Sequence, residues 1–393
     1  MKEATRIFSG VVCLLMFSST FTAFSQETYK FELMWGSYGT GEGQFNKPTG
    51  VAVDASGNVY VADTYNHRIQ KFDSNGNFIS KLDLSVIGDP PSFYYPHGIA
   101  TDFTGNVFAT VVKELITFVT PPISHFVYKF DSNGNFITRW SNPGTGDGQF
   151  AYLSGLATDS FGNFYVCDIQ NSRIQKFDSN GKYITKWGSV GQGDGQFDHP
   201  GAVAVDFLGN VYVADTLNRR IQKFDSDGNF VKIFTEWFSL YEVNFPNGVA
   251  VDPLGNVYVL ISESEPSTLS MPPLDNPRIE KFDSNADLLI EWGSHGEGEG
   301  EFAYPNGLAV DLSGNIYVAD TYNNRIQKFS PVLVPQENIS TPDTPSGPIN
   351  GIIGTDYTYS TGGSSSDLGH PVEYRFSWGD GSYSEWSASG VSS

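Results

Sequence analysis

Cysteine is nearly absent from this sequence, with only Cys13 and Cys167 in 393 residues. Cys13 lies inside an apolar run near the N-terminus rather than just after it, so it does not fit a lipoprotein cysteine. If the N-terminal segment is removed, as we expect, Cys167 has no partner for an internal disulfide. Packing and strand pairing must then hold the fold. Cys167 stands where sister segments have alanine, which predicts a small buried residue.

Positive charge is also scarce. The chain has 23 Lys and Arg against 44 Asp and Glu, a formal net charge of −21. Such a chain repels a phosphate backbone, so we expect no nucleic-acid partner. Charged residues make up 17% of the chain, whereas Gly, Phe and Tyr number 42, 30 and 20. This balance favours many short strands joined by tight turns over a helix-rich fold.

Long hydrophobic runs are missing too, which excludes a permanent membrane-spanning helix. The apolar stretch at residues 11–17 follows Lys2 and Arg6 and precedes a small, polar stretch. This arrangement is typical of a secretory signal peptide, which we assign to residues 1–25. The protein is therefore predicted to be extracellular or displayed at the cell surface, without a membrane span.

The strongest feature that is present is an internal repeat of about 47 residues. The segment PTGVAVDASGNVYVADTYNHRIQKFDSNGNF, from Pro48, matches HPGAVAVDFLGNVYVADTLNRRIQKFDSDGNF, from His199, nearly residue for residue. Four further copies begin near Pro96, Leu153, Pro246 and Pro305. Each copy has apolar strand segments and two glycine-containing turns, typical of a four-stranded antiparallel sheet. Six such sheets predict an all-β fold, a six-bladed β-propeller.

One aspartate opens the first turn of every copy, and a glycine follows three residues later. These aspartates are Asp54, Asp102, Asp159, Asp206, Asp252 and Asp311. A short polar side chain can bond the turn backbone, and glycine supplies the positive φ of a tight hairpin. We therefore interpret the six aspartates as structural and not catalytic. The second turn has a DSNGN-like sequence with glycine at its fourth position in four copies, but it is DSNAD at Asp283 in blade five, which predicts a looser or differently shaped turn.

The segment PTGVAVDASGNVYVADTYNHRIQKF and its sister copies resemble the NHL repeat, over roughly residues 30–330. The resemblance also implies a propeller. Some propellers related to this repeat are metal-dependent enzymes. YPHGIA around His97 resembles peptidylglycine amidating lyases, whose zinc site needs three such histidines, and lactonase-type propellers hold calcium with axial Glu, Asp and Asn. RNA-binding NHL proteins have basic surfaces, which this acidic chain does not share.

The sixth copy lacks its fourth strand, and a spare strand lies at the start of the chain. Residues 29–45, YKFELMWGSYGTGEGQF, match the fourth strand and exit loop of other copies. We therefore predict that residues 29–36 complete the sixth blade and close the ring. The propeller is assigned to residues 26–330 and is expected to be monomeric.

Recognition is expected on the face that carries the second-to-third-strand connections and the linkers between blades, because these segments vary. Blades two and five carry insertions there, at residues 111–126 and 261–277, each entered by an aromatic loop. These blades stand opposite each other in a ring of six, which predicts a groove for an extended protein, peptide or glycan ligand. The candidate contact residues are Phe93, Tyr94, Tyr95, Trp237, Phe238 and Tyr241. The alternative is that these aromatics only shield the insertions.

A polar ring is predicted at the mouth of the central channel, with one residue from each first strand. The ring consists of Thr49, His97, Ser154, Gly201, Asn247 and Asn306. His97, Asn247 and Asn306 are candidate ligand-binding residues. Zinc normally takes three or four N or S ligands, and only one blade supplies a histidine here. A metal-dependent lyase or lactonase at the mouth stays the alternative function, and a structural spacer is a third hypothesis.

Two more motifs recur with the repeat. Asp63 with Arg68, and its equivalents in three other blades, predict ion pairs that order the second-to-third-strand connection. GTGDGQF, from Gly144, is one of four similar segments with glycines at alternate positions, as in a phosphate-binding loop. Because it joins two strands and carries an acid, we interpret it as a linker between blades. No cofactor is expected, with weakly bound Ca²⁺ at these acids as the alternative.

The composition changes after Phe329. Residues 331–345 are a linker rich in Pro, Ser and Thr. Residues 346–393 alternate aromatic and polar residues and contain WGDG at residues 378–381, so they resemble the first part of a PKD-like or other immunoglobulin-like module. Because such a sandwich needs roughly 80–100 residues, we expect this segment to be incomplete and poorly packed.

Overall fold

The computed structural model describes residues 26–84, 92–115, 123–236, 245–262 and 276–334, and two-residue strands at 373–374 and 387–388. Residues Tyr29–Val332 form one compact unit, which contains six four-stranded sheets. The predicted all-β, six-bladed propeller is confirmed. The predicted signal peptide and most of the linker and PKD-like segment lie outside the described residues.

The strands follow one another around the ring, four to a blade. The first strand of the chain and those of blades one to three are β1 (Gln26–Trp35), β2 (Pro48–Val53), β3 (Val59–Asp63), β4 (Arg68–Phe72), β5 (Phe78–Asp83), β6 (Ser92–Thr101), β7 (Val107–Leu115), β8 (Ile123–Phe130), β9 (Phe136–Trp140), β10 (Leu153–Thr158), β11 (Phe164–Asp168), β12 (Arg173–Phe177) and β13 (Tyr183–Trp187). Two single-turn 3₁₀ helices connect second to third strands, at Thr64–Asn66 and Ile169–Asn171.

Blades four to six continue the pattern. Their strands, with one short parallel pair in the linker to blade six, are β14 (Pro200–Val205), β15 (Val211–Asp215), β16 (Arg220–Phe224), β17 (Phe230–Glu236), β18 (Phe245–Val251), β19 (Val257–Ser262), β20 (Arg278–Phe282), β21 (Leu288–Trp292), β22 (Ser294–His295), β23 (Glu301–Phe302), β24 (Gly307–Val310), β25 (Ile316–Asp320) and β26 (Arg325–Val334). In a separate unit, β27 (Glu373–Tyr374) and β28 (Ser387–Ala388) pair antiparallel. No helix in the described ranges is long and apolar enough to span a membrane.

The turn aspartates are structural, as predicted. Asp54 accepts hydrogen bonds from the backbone N–H groups of Ser56 and Asn58, both at 2.9 Å. Its second oxygen accepts the Asn58 side chain at 2.8 Å and the Tyr60 hydroxyl at 3.2 Å. The two backbone N–H contacts recur at all six positions. These carboxylates are therefore occupied within their own turns.

The expectation of a looser turn in blade five is wrong. The Asp283 carbonyl accepts the Ala286 N–H at 3.0 Å, and the Asp283 N–H donates to the Asp287 carbonyl at 3.0 Å. The glycine-containing second turns of the other blades make the same backbone hydrogen bonds. Ala286 adopts φ 81°, the left-handed conformation that glycine takes elsewhere. The backbone hydrogen bonds fix the turn shape, so Ala286 is held in a conformation that is sterically unfavourable for a residue with a Cβ.

The core lies between neighbouring blades. Between blades one and two, Tyr60, Ala62 and Ile69 pack with Val107 and Tyr128. The innermost strands approach each other very closely. A Cβ at Gly50 would lie 2.0 Å from the His97 carbonyl oxygen, so only glycine fits there. Cys167 is fully buried in the cluster between blades three and four, as predicted.

The N-terminal strand closes the ring, as predicted. β1 lies at the outer edge of the sixth sheet, beside β26. Tyr29 stacks on Trp292 of blade five, with ring centroids 4.5 Å apart, and its hydroxyl lies 2.9 Å from that of Tyr258. Trp35 lies against Phe72 of blade one at 5.8 Å. The first strand thus contacts the blades on both sides of the one that it completes.

Candidate functional site

The predicted polar ring lines the central channel. All six ring residues border a cavity of about 260 Å³. In blades one to five, the pairing of the first strand with the second shifts register at these positions, for example between Pro48 and Val51 and between Pro96 and Ile99. A strand that leaves regular pairing can turn a side chain away from the sheet. The irregularity therefore lets the ring residues face the channel.

His97 is the titratable member of this ring. Burial, helped by the nearby His125 imidazole, lowers the pKa of His97 to about 4. Its imidazole is therefore neutral at neutral pH. The His125 Nδ1 atom is buried and has no hydrogen-bond partner within the described ranges. Across those ranges, no group of three His, Cys, Asp or Glu side chains could hold a metal ion. The residues present do not fit the zinc or calcium centre that the resemblance implied.

The three predicted aromatics of blade two do not share one face. Phe93 is 41% exposed, and Tyr95 is partly exposed, but Tyr94 is only 1% exposed. The prediction that Tyr94 faces a ligand is wrong, because β6 extends through all three residues and successive side chains of a strand point to opposite faces. Trp237, Phe238 and Tyr241, the predicted partners on blade five, lie outside the described residues.

Aromatic side chains of blades one and six lie beside those of blade two and form one row with them. We name the aromatic arc as Tyr304, Tyr322, Tyr65, Tyr95, His67 and Phe93. Ring centroids are 4.6 Å apart for Tyr304 and Tyr322, 5.7 Å for Tyr65 and Tyr95, 4.8 Å for Tyr95 and His67, and 4.9 Å for His67 and Phe93. The Lys47 ammonium bridges the remaining gap, 4.2 Å from the Tyr322 ring centroid and 5.7 Å from that of Tyr65.

Sequence reasoning missed Lys47, Tyr65, Tyr304 and Tyr322. A signal for two of them was present in the second-to-third-strand connections DTYNH, DIQNS, DTLNR and DTYNN. The first Asp and the Asn are constant there, and the residue before the Asn changes. A constant frame with variable positions between its fixed residues is typical of a display site. Its outward side chain is Tyr65 in blade one, which is 52% exposed.

Beneath the arc lies the mouth pocket, with a volume of about 170 Å³. Its lining residues are Lys47, Thr49, Thr64, Tyr65, His97, Asn247, Ser262, Tyr304, Asn306, Thr321 and Tyr322. The structure therefore brings the predicted His97, Asn247 and Asn306 together with the missed residues at one end of the channel.

The predicted Asp–Arg pairs are present, and they anchor the glycine-rich linkers. In blade three, Arg173 Nε donates to buried Asp168 at 2.8 Å. The other guanidinium nitrogens donate to the carbonyls of Thr145 at 2.7 Å, Gly146 at 2.9 Å and Gln149 at 2.7 Å. The GTGDGQF segment thus turns carbonyls toward a cation, opposite to a phosphate cradle, whose N–H groups face an anion. Blades one, four and six repeat this clamp.

Blades two and five replace the clamp. In blade five, Arg278 pairs with Glu280 at 2.5 Å, so an acid on the third strand takes the place of the missing aspartate. In blade two, Phe126 and Tyr128 occupy the Arg and Gln positions and pack together at 5.8 Å. In this blade the second strand extends to Leu115 and the third strand begins at Ile123, so the sheet is longer beside the mouth.

Comparison with known proteins supports the repeat. The NHL repeat model matches residues 45–72 and 302–329. The chain is 30% identical over 146 residues to Protein brain tumor of Drosophila melanogaster, covering 37% of this chain and 12% of that protein. It is 36% identical over 78 residues to a probable peptidyl-alpha-hydroxyglycine alpha-amidating lyase of Caenorhabditis elegans, covering 19% of this chain and 22% of that protein.

One solved structure, a Bacteroides thetaiotaomicron protein of unknown function, has a TM-score of 0.53 and 17% identity, covering 78% of this chain and 76% of that one. This likeness shows the fold alone. The match with this chain spans less than a quarter of the length of the Drosophila melanogaster protein and of the Caenorhabditis elegans lyase.

Proposed function

We propose that this protein is a binding module that holds an extended peptide segment of a protein partner on the aromatic arc. One observation carries the proposal: six ring side chains from three blades form a nearly continuous, partly exposed surface beside the channel mouth. Aromatic side chains that are held in place supply large contact area at little entropic cost. We also propose that the protein acts outside the cell, on the basis of residues 1–25.

A peptide suits this surface because the arc runs across three blades with its rings side by side. The rings contact one another, so little ordering is needed when a ligand binds. A glycan could stack on the same rings, and we treat glycan binding as an outcome of the test below.

The alternative, a metal-dependent lyase or lactonase, is supported by the partial similarity to the Caenorhabditis elegans lyase. It requires a set of metal ligands that the described residues do not supply at the mouth. His97 is the single ring histidine, and the amides of Asn247 and Asn306 are its polar neighbours in the mouth pocket. We therefore propose binding in preference to catalysis.

The test uses the full chain, without the predicted signal, against peptide and glycan arrays. Phe93→Ala and Tyr65→Ala should each weaken binding by about 1–2 kcal/mol, since each removes an exposed ring of the arc. Phe161→Ala is the matched control, because this ring is 86% exposed in a turn at the opposite end of the propeller. Peptide binding that survives both arc substitutions, or binding of glycans alone, would contradict the proposal.

A further inference from the structure

Positive charge is rare at the channel mouth. Among the side chains that line the mouth pocket, Lys47 is the one that is charged at neutral pH, because burial keeps the pKa of His97 near 4. No described Asp or Glu lines this pocket. The chain as a whole carries −21, so the pocket is a cationic point in an acidic molecule.

The Lys47 ammonium has no carboxylate partner in the part of the chain that the structure describes. Its neighbours are the faces of Tyr322 and Tyr65. Other lysines do have acidic partners: Lys186 lies 2.6 Å from Asp147, and Lys176 lies 3.9 Å from Asp159. A cation over aromatic faces is stabilised by the ring electrons but keeps its three hydrogen-bond donors. The ammonium can therefore donate hydrogen bonds to an anionic ligand and keep its contacts with the two rings.

Lys47 is also held in an uncommon backbone conformation, with φ 49°. Its N–H donates to Asn324 Oδ1 at 2.8 Å, and the N–H of the preceding Asn46 donates to the buried Asp63 at 2.7 Å. Left-handed backbone at a non-glycine residue is costly and persists where neighbouring contacts fix it. These contacts fix the backbone from which the Lys47 side chain extends, and the rings of Tyr322 and Tyr65 flank its ammonium.

Two side-chain amides complete the donor set. Asn247 and Asn306 line the same pocket, and neither amide has a hydrogen-bond partner among the described residues. By contrast, Thr64 donates to the Pro96 carbonyl at 2.9 Å and lies 2.7 Å from the Thr49 hydroxyl, so those two hydroxyls satisfy each other. An ammonium and two amide N–H₂ groups match the acceptor oxygens of one carboxylate.

We propose that the mouth pocket binds the carboxylate of an Asp or Glu side chain, carried by the peptide segment that lies on the aromatic arc. The volume of about 170 Å³ is below the range of about 300–1,000 Å³ for whole small-molecule ligands and suits a single side chain. This inference rests on the proposed function. It adds the chemistry of the one residue that the partner must present.

The experiment selects random peptides displayed on phage against the immobilised full chain, and measures the affinity of selected peptides by calorimetry. Selected sequences should share an acidic residue, and Glu→Gln in such a peptide should weaken binding about tenfold or more. Lys47→Met keeps the stem against the tyrosines but removes the charge. It should cause the same loss, with no further loss when both changes are combined.

Two variants control for charge and fold. Lys47→Arg should retain most of the affinity, and Lys81→Met, an exposed lysine on the outer strand of blade one, should leave it unchanged. Two results would overturn the carboxylate inference and leave the proposed function standing. The selected peptides could lose affinity with Tyr65→Ala yet carry no acidic residue, or their affinity could be unchanged by Lys47→Met. If no peptide is selected, both fail. If oligogalacturonate, a chain of acidic sugars, binds and peptides do not, the carboxylate comes from a glycan and the peptide proposal is overturned.

Discussion

At the scale of single residues, backbone conformation decides which side chains the turns tolerate. Ala286 occupies the position that glycine holds in the other outer turns, and it adopts φ 81°. For an L-residue with a Cβ, this region costs roughly 1–2 kcal/mol. Blade five therefore carries a local strain that the repeat elsewhere avoids.

We predict that Ala286→Gly raises the free energy of unfolding by about 0.5 kcal/mol, because relief of strain exceeds the loss of one partly buried methyl and the added chain entropy. Chemical denaturation measures the change. Gly57→Ala is the matched control: its φ is also 81° and the nearest neighbouring atom to an added Cβ is 4.0 Å away. It should lower stability by about 1 kcal/mol. If both substitutions are neutral, the left-handed backbone carries no cost here.

At the scale of elements, a buried ion pair joins each glycine-rich linker to the blade that follows it. Asp168 accepts Arg173 Nε on the third strand and the Ala151 N–H, 2.9 Å away, at the end of the linker. Arg173 in turn holds the linker carbonyls. A pair that is buried and fully hydrogen-bonded is costly to break, because the remaining charge loses its partner.

We predict that Asp168→Asn destabilises the protein by about 3 kcal/mol, since it leaves the Arg173 guanidinium buried without a counter-charge. Hydrogen exchange should rise first in residues 144–150, which the arginine anchors. The contrasting variant is Asp147→Asn in the same linker. It breaks an exposed pair with Lys186 on β13 and should change the free energy of unfolding by less than about 1 kcal/mol. Equal losses in the two variants would contradict the role of burial.

At the scale of the whole molecule, the repeat made the fold predictable, because six copies of one pattern leave few ways to bury their apolar faces. The channel-mouth ring was predictable for the same reason, and His97, Asn247 and Asn306 line the mouth. Tyr94 was misplaced because the extension of β6 before Pro96 is not visible in the repeat pattern. The contact of Tyr65 with Tyr95 joins two blades, and no single copy contains that information.

Closure of the ring gives the last prediction. Without β1, the third strand of blade six would become an exposed edge, and Trp292 and Phe72 would lose the rings of Tyr29 and Trp35. Burying one large apolar side chain contributes about 1.5–3 kcal/mol, and a domain is stable by only about 5–15 kcal/mol. Deletion of residues 26–35 should therefore abolish cooperative thermal unfolding and promote association through the open edge. A synthetic peptide of those residues, added in trans, should restore the transition. A deleted chain that stays monomeric, with an unchanged Tm, would show that the ring does not depend on this strand.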